Sequence, residues 1–430
     1  MTRSQYSRRT FLTGGAGVAV ASLTPYFLTG AQTTSTQSKN DRIGVAVIGT
    51  GGRGSFIGHQ AAALGDLVAC CDVDHKRAEG FASRYAGKCK VCKDYRRVLD
   101  RKDVQAITIG VPDHWHAKII VEALKAGKDI YCEKPLALTI EEGRLICRTA
   151  RQTARIVQVG TQQRSEYDSL FLQAVALCRS GRLGEKLTAT ASVGQAKRGG
   201  PFASTAPPAY LDWDFWLGPS PQAPYCPQRC HYDFRWWFDY SGGQVTYWGV
   251  HHVDIAMWAM GLASTGPVQI EGWGDFPKIE NGYDVPTTFH AKMKFANGNT
   301  IVLNSDRNGL LLGGEKGRIA VNRRRLLGTP VETLSKHDRD WLRDEVVRLY
   351  RGKQPGSHMG NFFECVKDRS MPISDVFTHH RSLSACHLCN IAMKLGRTLH
   401  WDPAKEDFIG DAEASRHLSR PWREPYGIVA

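Results

Sequence analysis

Apolar residues fall along this chain with two different periods. Residues 42–48 run apolar and β-branched and predict a buried strand, with a helical stretch following to about residue 64. A second apolar run covers 67–71. Beyond it the pattern predicts a strand at 105–111, a helix at 116–126, a strand at 129–132, a helix at 140–152 and a strand at 155–159. Strands and helices alternating at this spacing make parallel βαβ units, whose strands are apolar throughout because helices cover both faces. The pattern changes after residue 160. Residues 287–295 and 300–306 alternate and flank the turn Asn297-Gly298-Asn299, which predicts an antiparallel hairpin. Residues 317–322 predict a further strand, and 361–367 and 382–395 predict helices.

The first strand runs into Gly49-Thr50-Gly51-Gly52-Arg53-Gly54 and then into a helix. That context turns a common glycine pattern into a dinucleotide-binding turn. Gly49 permits the tight turn, Gly51 lets backbone approach a pyrophosphate, and Gly54 lets helix and strand pack closely. The helix start offers N–H donors and positive partial charge to the phosphates. Asp72 ends the second strand about 20 residues on, where a carboxylate binds ribose hydroxyls. A carboxylate there repels a 2′-phosphate and favours NAD; His75, Lys76 and Arg77 nearby keep NADP open. Two clusters fall at carboxyl ends of later strands, where cofactors lie: Pro112-Asp113-His114-Trp115-His116 and Glu133-Lys134-Pro135.

Composition adds a destination and removes some alternatives. Ser7-Arg8-Arg9-Thr10-Phe11-Leu12 precedes an uncharged stretch at 14–28 and the small residues Thr29-Gly30-Ala31. This resembles a twin-arginine export signal over residues 1–31, with a polar linker at 32–41; an uncleaved membrane anchor is the other reading. No later stretch reaches the roughly 18 apolar residues of a spanning helix. Membrane contact is therefore expected only through the export signal, and the expected location is the periplasm or beyond. The 430-residue chain carries a formal charge of +14; the leader holds three of those charges and no acid, leaving +11. Such a balance suits acidic substrates or plain solubility. The longest basic run, Arg323-Arg324-Arg325, is too short for a nucleic-acid arm, and no nucleic-acid partner is expected. Twelve cysteines include the close pairs Cys89/Cys92, Cys226/Cys230 and Cys386/Cys389. A structural metal or disulfide is one reading; buried thiols are favoured, and no metal is assigned.

The glycine turn, Asp72, the segment from Pro112 to His116 and Glu133-Lys134-Pro135 together resemble the Gfo/Idh/MocA oxidoreductases, closely over 42–160 and loosely to about residue 420. The resemblance implies an α/β chain. An N-terminal Rossmann domain with a doubly wound parallel sheet spans 42–160. An α+β domain with an open, largely antiparallel sheet spans 161–400 and serves substrate binding and oligomerisation; residues 401–430 form a C-terminal extension. A homo-oligomer is expected. Lys134 falls on the family's catalytic lysine. The segment Gly242-Gly243-Gln244-Val245-Thr246-Tyr247-Trp248-Gly249-Val250-His251-His252-Val253-Asp254 resembles G-G-x-x-x-D-x-G-x-H-x-x-D. His251 falls on the family histidine that shares proton transfer, and Asp254 on the later acid. Tyr247 replaces a frequent Asp, which lowers the basicity of the nearby histidine and leaves a hydroxyl able to donate.

The expected site follows. Lys134, His251 and Tyr247 are the catalytic candidates. Gly49, Thr50, Gly51, Gly52, Arg53, Gly54, Asp72, Pro112, His116, Glu133, Lys134 and Gln163 are the cofactor candidates. Lys134, Arg164, Arg235, His251 and His252 face substrate, while Asp254 supports structure. Trp213, Trp216, Trp236 and Trp237 lie in the segments 211–219 and 234–238; they either stack on sugar faces or pack a long excursion. Three functions remain. The first is an exported NAD(P)-dependent oxidoreductase moving hydride between a nicotinamide and a secondary alcohol of a sugar, sugar acid or cyclitol. The second is a glycosidase using transient oxidation and elimination. The third is a non-catalytic sugar-binding protein with a vestigial cofactor site. Export favours a tightly held, recycled cofactor.

Overall fold

The computed structural model describes residues 42–428. The expected leader at 1–31, with Arg8 and Arg9, and the expected linker at 32–41 lie outside the described residues. No helix among the described residues is long and apolar enough to cross a membrane.

The first half alternates as its pattern requires. In order come β1 (Gly44–Ile48), α1 (Gly52–Leu64), β2 (Asp66–Cys71), α2 (His75–Ala82), β3 (Lys90–Cys92) and α3 (Arg96–Leu99). Then follow β4 (Ala106–Ile109), α4 (Asp113–Lys125), β5 (Asp129–Cys132), α5 (Ile140–Thr153) and β6 (Val157–Val159). The six strands form one parallel sheet in the order β3-β2-β1-β4-β5-β6. Strand order reverses at β1, so a crevice opens beyond the carboxyl ends of β1 and β4. β1, β4 and β5 are buried at every residue, as strands covered on both faces must be. Helix α4 starts at Asp113, earlier than its apolar period alone predicts. Pro112 fixes the entering φ at −59° and Asp113 puts an acid in the first turn.

The second half builds the other layer. It contains α6 (Leu170–Arg179), β7 (Thr188–Ser192), α7 (Trp213–Leu217), α8 (Gly243–Tyr247) and α9 (Gly249–Ala259). β8 (Gln269–Gly274), β9 (Phe289–Lys294), β10 (Thr300–Asn304), β11 (Gly309–Gly314), β12 (Gly317–Val321) and β13 (Leu326–Thr329) follow. Last come α10 (Lys336–Leu349), α11 (His358–Asp368), α12 (Val376–Leu395), β14 (Leu399–Asp402) and β15 (Asp407–Phe408). The sheet order is β13-β12-β11-β7-β10-β9-β8-β14-β15, antiparallel except where β10 meets β7. The expected hairpin is β9–β10, paired from His290↔Asn304 to Lys294↔Thr300. Helix α12 begins six residues before its expected start, because the Asp375 carboxylate accepts from the N–H groups of Phe377 and Thr378 and caps it. One sheet face is covered: Ala189, Ala191, Ile301, Leu303, Leu310 and Leu312 are buried beneath helices that include α9. A backbone bond ties β6 to the segment that leads into α12, Val159 N–H donating to the Ser374 carbonyl.

All twelve cysteines are buried and free. The segments 211–219 and 234–238 pack mostly into a second core: Trp213, Trp216, Trp236 and Trp237 are buried among Leu217, Tyr225 and Tyr240. Packing thus accounts for most of that aromatic content, and Phe215, Trp216 and Phe234 reach the cavity described next.

Candidate active site

A cavity of about 590 Å³ opens beyond the carboxyl ends of β1, β4 and β5. Its floor at one end is the glycine turn. Gly49 has φ +85°, and a Cβ there would lie 2.7 Å from the Gly110 carbonyl oxygen. A Cβ on Gly54 would fall 1.9 Å from the Gly49 oxygen, so α1 can start this close to the sheet only with glycine. Above Gly52 nothing lies within 4 Å of an added Cβ, and above Gly51 only the tip of Arg77 does. The turn therefore presents bare backbone and a helix N-terminus to open space, which fits a pyrophosphate. Asp72 closes the wall next to it. Thr50 donates its backbone N–H and its hydroxyl to Asp72 Oδ2 at 2.7 and 3.1 Å, and Asp74 N–H donates to Oδ1 at 2.9 Å. Burial still pushes the Asp72 carboxyl up from its ordinary range. The donor set and the cradle fit a dinucleotide with its ribose at Asp72.

At the other end the strand β5 runs directly into Glu133-Lys134. Lys134 Nζ donates to the Tyr247 carbonyl at 2.8 Å and lies 3.6 Å from the centroid of that residue's ring. Burial holds the Lys134 amine down to about 7; Glu133 and Asp113 oppose the shift, while Arg235 and Arg53 add to it. Glu133 is itself engaged, its Oε1 accepting from Arg53 Nε at 2.8 Å and from Gln162 Nε2 at 3.1 Å. The doublet Gly242-Gly243, with Gly243 at φ +67°, turns the chain into α8 and brings Tyr247 over the lysine. One turn on, His251 opens α9 and faces the same cavity. Burial, then Lys134 and Arg323, push its imidazole well below the ordinary histidine range. Its Nδ1 is buried without a partner, and Nε2 lies 3.4 Å from Arg323 Nη2. The site thus pairs an amine poised near neutrality with a neutral imidazole.

The fold brings most of the expected residues together. Gly49, Gly51, Gly52, Arg53, Asp72 and Pro112 line one side, and Glu133, Lys134, Arg235, Tyr247 and His251 the other. Six do not line the cavity. Thr50 turns back to hold Asp72, and Gly54 is consumed in packing α1 on the sheet. His116 spans the carbonyls of Pro135 and Val111 at 2.6 and 3.0 Å, tying two strand ends together instead of touching cofactor. Gln163 is 1% exposed and off the wall, and its neighbour Gln162 takes the place expected of it. Arg164, expected to face substrate, is off the cavity wall and makes a buried two-point ion pair with Asp254 at 2.6 and 2.7 Å. His252 points away and meets Asn308 Oδ1 at 3.2 Å.

Several lining residues were not among the expected site residues, Tyr167 and Tyr232 included. Asp113, whose carboxylate accepts from the Ser241 hydroxyl at 2.6 Å, lies within the 112–116 cluster, where its position at a helix start reads as a first-turn acid. Gln162 and Trp248 adjoin recognised motifs. Arg323 carries no sequence signal, because it reads as part of a solvated basic run.

Residues 43–161 match the family model described as "Oxidoreductase family, NAD-binding Rossmann fold", and residues 199–428 that described as "Oxidoreductase family, C-terminal alpha/beta domain". The chain is 35% identical over 123 residues to inositol 2-dehydrogenase of Salmonella paratyphi B, covering 28% of this chain and 36% of the relative. It is 34% identical over 149 residues to inositol 2-dehydrogenase of Gluconacetobacter diazotrophicus, covering 34% of this chain and 44% of the relative. The matched segments thus span less than half the length of these curated relatives. Among solved structures it is similar to the WlbA dehydrogenase from Bordetella pertussis in complex with NADH and UDP-GlcNAcA. That likeness has a TM-score of 0.62 and 18% identity, over 85% of this chain and 99% of the other, and bears on the fold.

Proposed function

Because the chain belongs to the Gfo/Idh/MocA oxidoreductase family, and its first domain is of the NAD-binding type, we propose an exported NAD-dependent dehydrogenase. Its substrate is a secondary alcohol of a sugar, sugar acid or cyclitol. The observation that carries this reading is the Lys134 amine, held down to about 7 at the end of β5 and facing His251 across a cavity that begins at a bare glycine turn. The inositol 2-dehydrogenase relatives support the class of substrate.

When bound, NAD supplies the hydride acceptor. The chain's own residues do the rest. Backbone at Gly51 and Gly52 and the start of α1 hold the phosphates, and Asp72 holds the ribose. Lys134 takes the hydroxyl proton on Nζ as the alcohol is oxidised, and returns it in the reverse direction. Neutral His251 orients the same hydroxyl by a hydrogen bond. Tyr247 fixes the amine through its carbonyl and places a ring face against the cation. Glu133 anchors Arg53 and so locks the start of α1 to the end of β5.

The same reading extends to the rest of the chain. Residues 1–31 are a twin-arginine leader that sends the protein to the periplasm, and 32–41 a linker; 42–160 form the cofactor domain, 161–400 the substrate domain and 401–430 an extension. A second copy covers the open face of the larger sheet. There, registered pairing sets Leu327, Ala320, Leu311, Thr190 and Val302 in one row, with Leu327 and Ala320 exposed and the others half-buried.

The test is direct. Purified protein is denatured and the supernatant assayed for NAD(H) and NADP(H). The intact protein is then given inositols, aldoses, sugar acids and aryl glycosides while reduced nicotinamide is followed by absorbance. Released NAD(H) and sustained NADH formation with one polyol class are expected. Stoichiometric NADH that never accumulates, with glycoside cleavage, would instead indicate a recycled cofactor. Absence of any bound or bindable dinucleotide would refute the reading.

A further inference from the structure

Two guanidinium groups face the reacting end of the cavity without an acid to pair with. Arg235 is 7% exposed, and its Nε and Nη1 are buried with no hydrogen-bond partner. Arg323 likewise has a buried, unpartnered Nε. Neither forms an ion pair among the described residues; the buried Arg229 forms none either, but it donates to Tyr240 Oη and to Asn281 Oδ1 away from the cavity. The buried Arg164 is matched by Asp254, and the half-buried Arg420 by Glu142 at 2.8 Å.

The neighbours of both groups place them beside the catalytic pair. Arg235 lies 3.7 Å from the Tyr232 ring centroid and 4.1 Å from that of Tyr247, the ring that Lys134 also caps. Arg323 lies 4.7 Å from the Tyr167 ring and 4.6 Å from the Trp248 ring, with His251 next to its Nη2. Rings hold the flat faces of both guanidiniums and leave in-plane donors free, Nε and Nη1 on Arg235 and Nε on Arg323. Of the nearby carboxylates, Glu133 is taken up by Arg53 and Gln162; Asp113 accepts from the Ser241 hydroxyl and Glu166 from the His358 N–H, and neither comes within ion-pair distance of Arg235 or Arg323. A guanidinium cannot shed its charge, so leaving its donors unpaired where water is largely excluded is costly unless a ligand anion completes them. The glycine turn already serves the cofactor phosphates at the far end of the cavity.

We propose that the substrate is an anionic sugar, a uronic or aldonic acid, whose carboxylate is gripped by Arg235 and Arg323 while its carbinol lies between Lys134 and His251. This rests on the dehydrogenase reading and narrows its substrate class. The planar two-oxygen carboxylate matches the in-plane donors. Arg235 and Arg323 are specificity residues, since removing either strips away contacts that only the acid makes.

The test uses the NAD-loaded protein and matched ligands: glucose, glucuronate, gluconate, glucose 6-phosphate and myo-inositol. Calorimetry reads binding, and NADH formation reads kcat/KM. One of the acids is expected to bind and react at least about tenfold better than its neutral counterpart. In Arg235→Gln that acid-to-neutral ratio falls at least about tenfold, and Arg235→Lys restores part of it, with bound dinucleotide and melting temperature unchanged. Neutral or phosphorylated sugars matching the acids in wild type would overturn the proposal. So would Arg235→Gln lowering acid and neutral binding equally. Failure of the dehydrogenase reading looks different: no dinucleotide is held, or no ligand yields NADH, while calorimetry still reports whether the acids bind.

Discussion

Lys134 decides the chemistry because its surroundings bring its amine to titrate near neutrality. Its amine is held down to about 7 by burial, and only the neutral amine accepts a proton. Polyol oxidation should therefore gain kcat/KM as pH rises through about 7, and the reverse reaction should lose it over the same window. Lys134→Ala should lower turnover by about 10²–10⁴-fold while the protein still binds NAD, read by stopped assay and equilibrium dialysis. Unchanged turnover would remove the residue from its role. Arg164 shows the opposite case, a charged residue wholly spent on structure. Arg164→Met leaves Asp254, which is fully buried, with only the Ser382 hydroxyl, and should cost about 3–5 kcal/mol in urea unfolding. A loss confined to KM, with stability intact, would show that Arg164 contacts substrate after all. Lys134, Asp72 and His251 were legible in the sequence because each sits in a contiguous motif. Arg323 was not, because only folding carries β12's following turn to His251. Arg164 and His252 misled because adjacency in sequence says nothing of which neighbour a side chain meets.

At the scale of elements, the site depends on how closely α1 and the end of β4 approach the glycine turn. Gly54→Ala forces its Cβ to 1.9 Å from the Gly49 oxygen, so helix and turn must separate. A stability loss of about 1–3 kcal/mol and a fall in NAD affinity of at least about tenfold are expected, by thermal melt and dialysis. Wild-type affinity in this variant would mean that the close packing is not what shapes the cradle. The parallel strands were legible because burial on both faces writes an unbroken apolar run, and the β9–β10 hairpin because its turn carries Asn and Gly. β7 was not: Thr188–Ser192 reads Thr-Ala-Thr-Ala-Ser, small residues with little strand signal, and it is placed by its partners β10 and β11.

For the whole molecule, one face of the nine-stranded sheet is packed under helices and the other is open. The registered row from Leu327 to Val302 gives that open face an apolar stripe. Light scattering coupled to gel filtration should report a dimer or larger, and Leu311→Glu should shift it toward monomer; a monomeric wild type would contradict the proposed assembly. The C-terminal segment binds the halves from outside. Arg420 donates to Glu142 on α5, to Ser220 and to the His114 carbonyl on α4, links that span 200 residues or more of sequence and that no local pattern announces. The central claim is nonetheless a matter of one cavity, and a crystal structure of the protein grown with NAD tests it most directly. The account predicts pyrophosphate on the backbone of Gly51 and Gly52, ribose at Asp72, and the nicotinamide ring beside Lys134 within reach of His251. A dinucleotide bound elsewhere, or a ring turned away from Lys134, would contradict it.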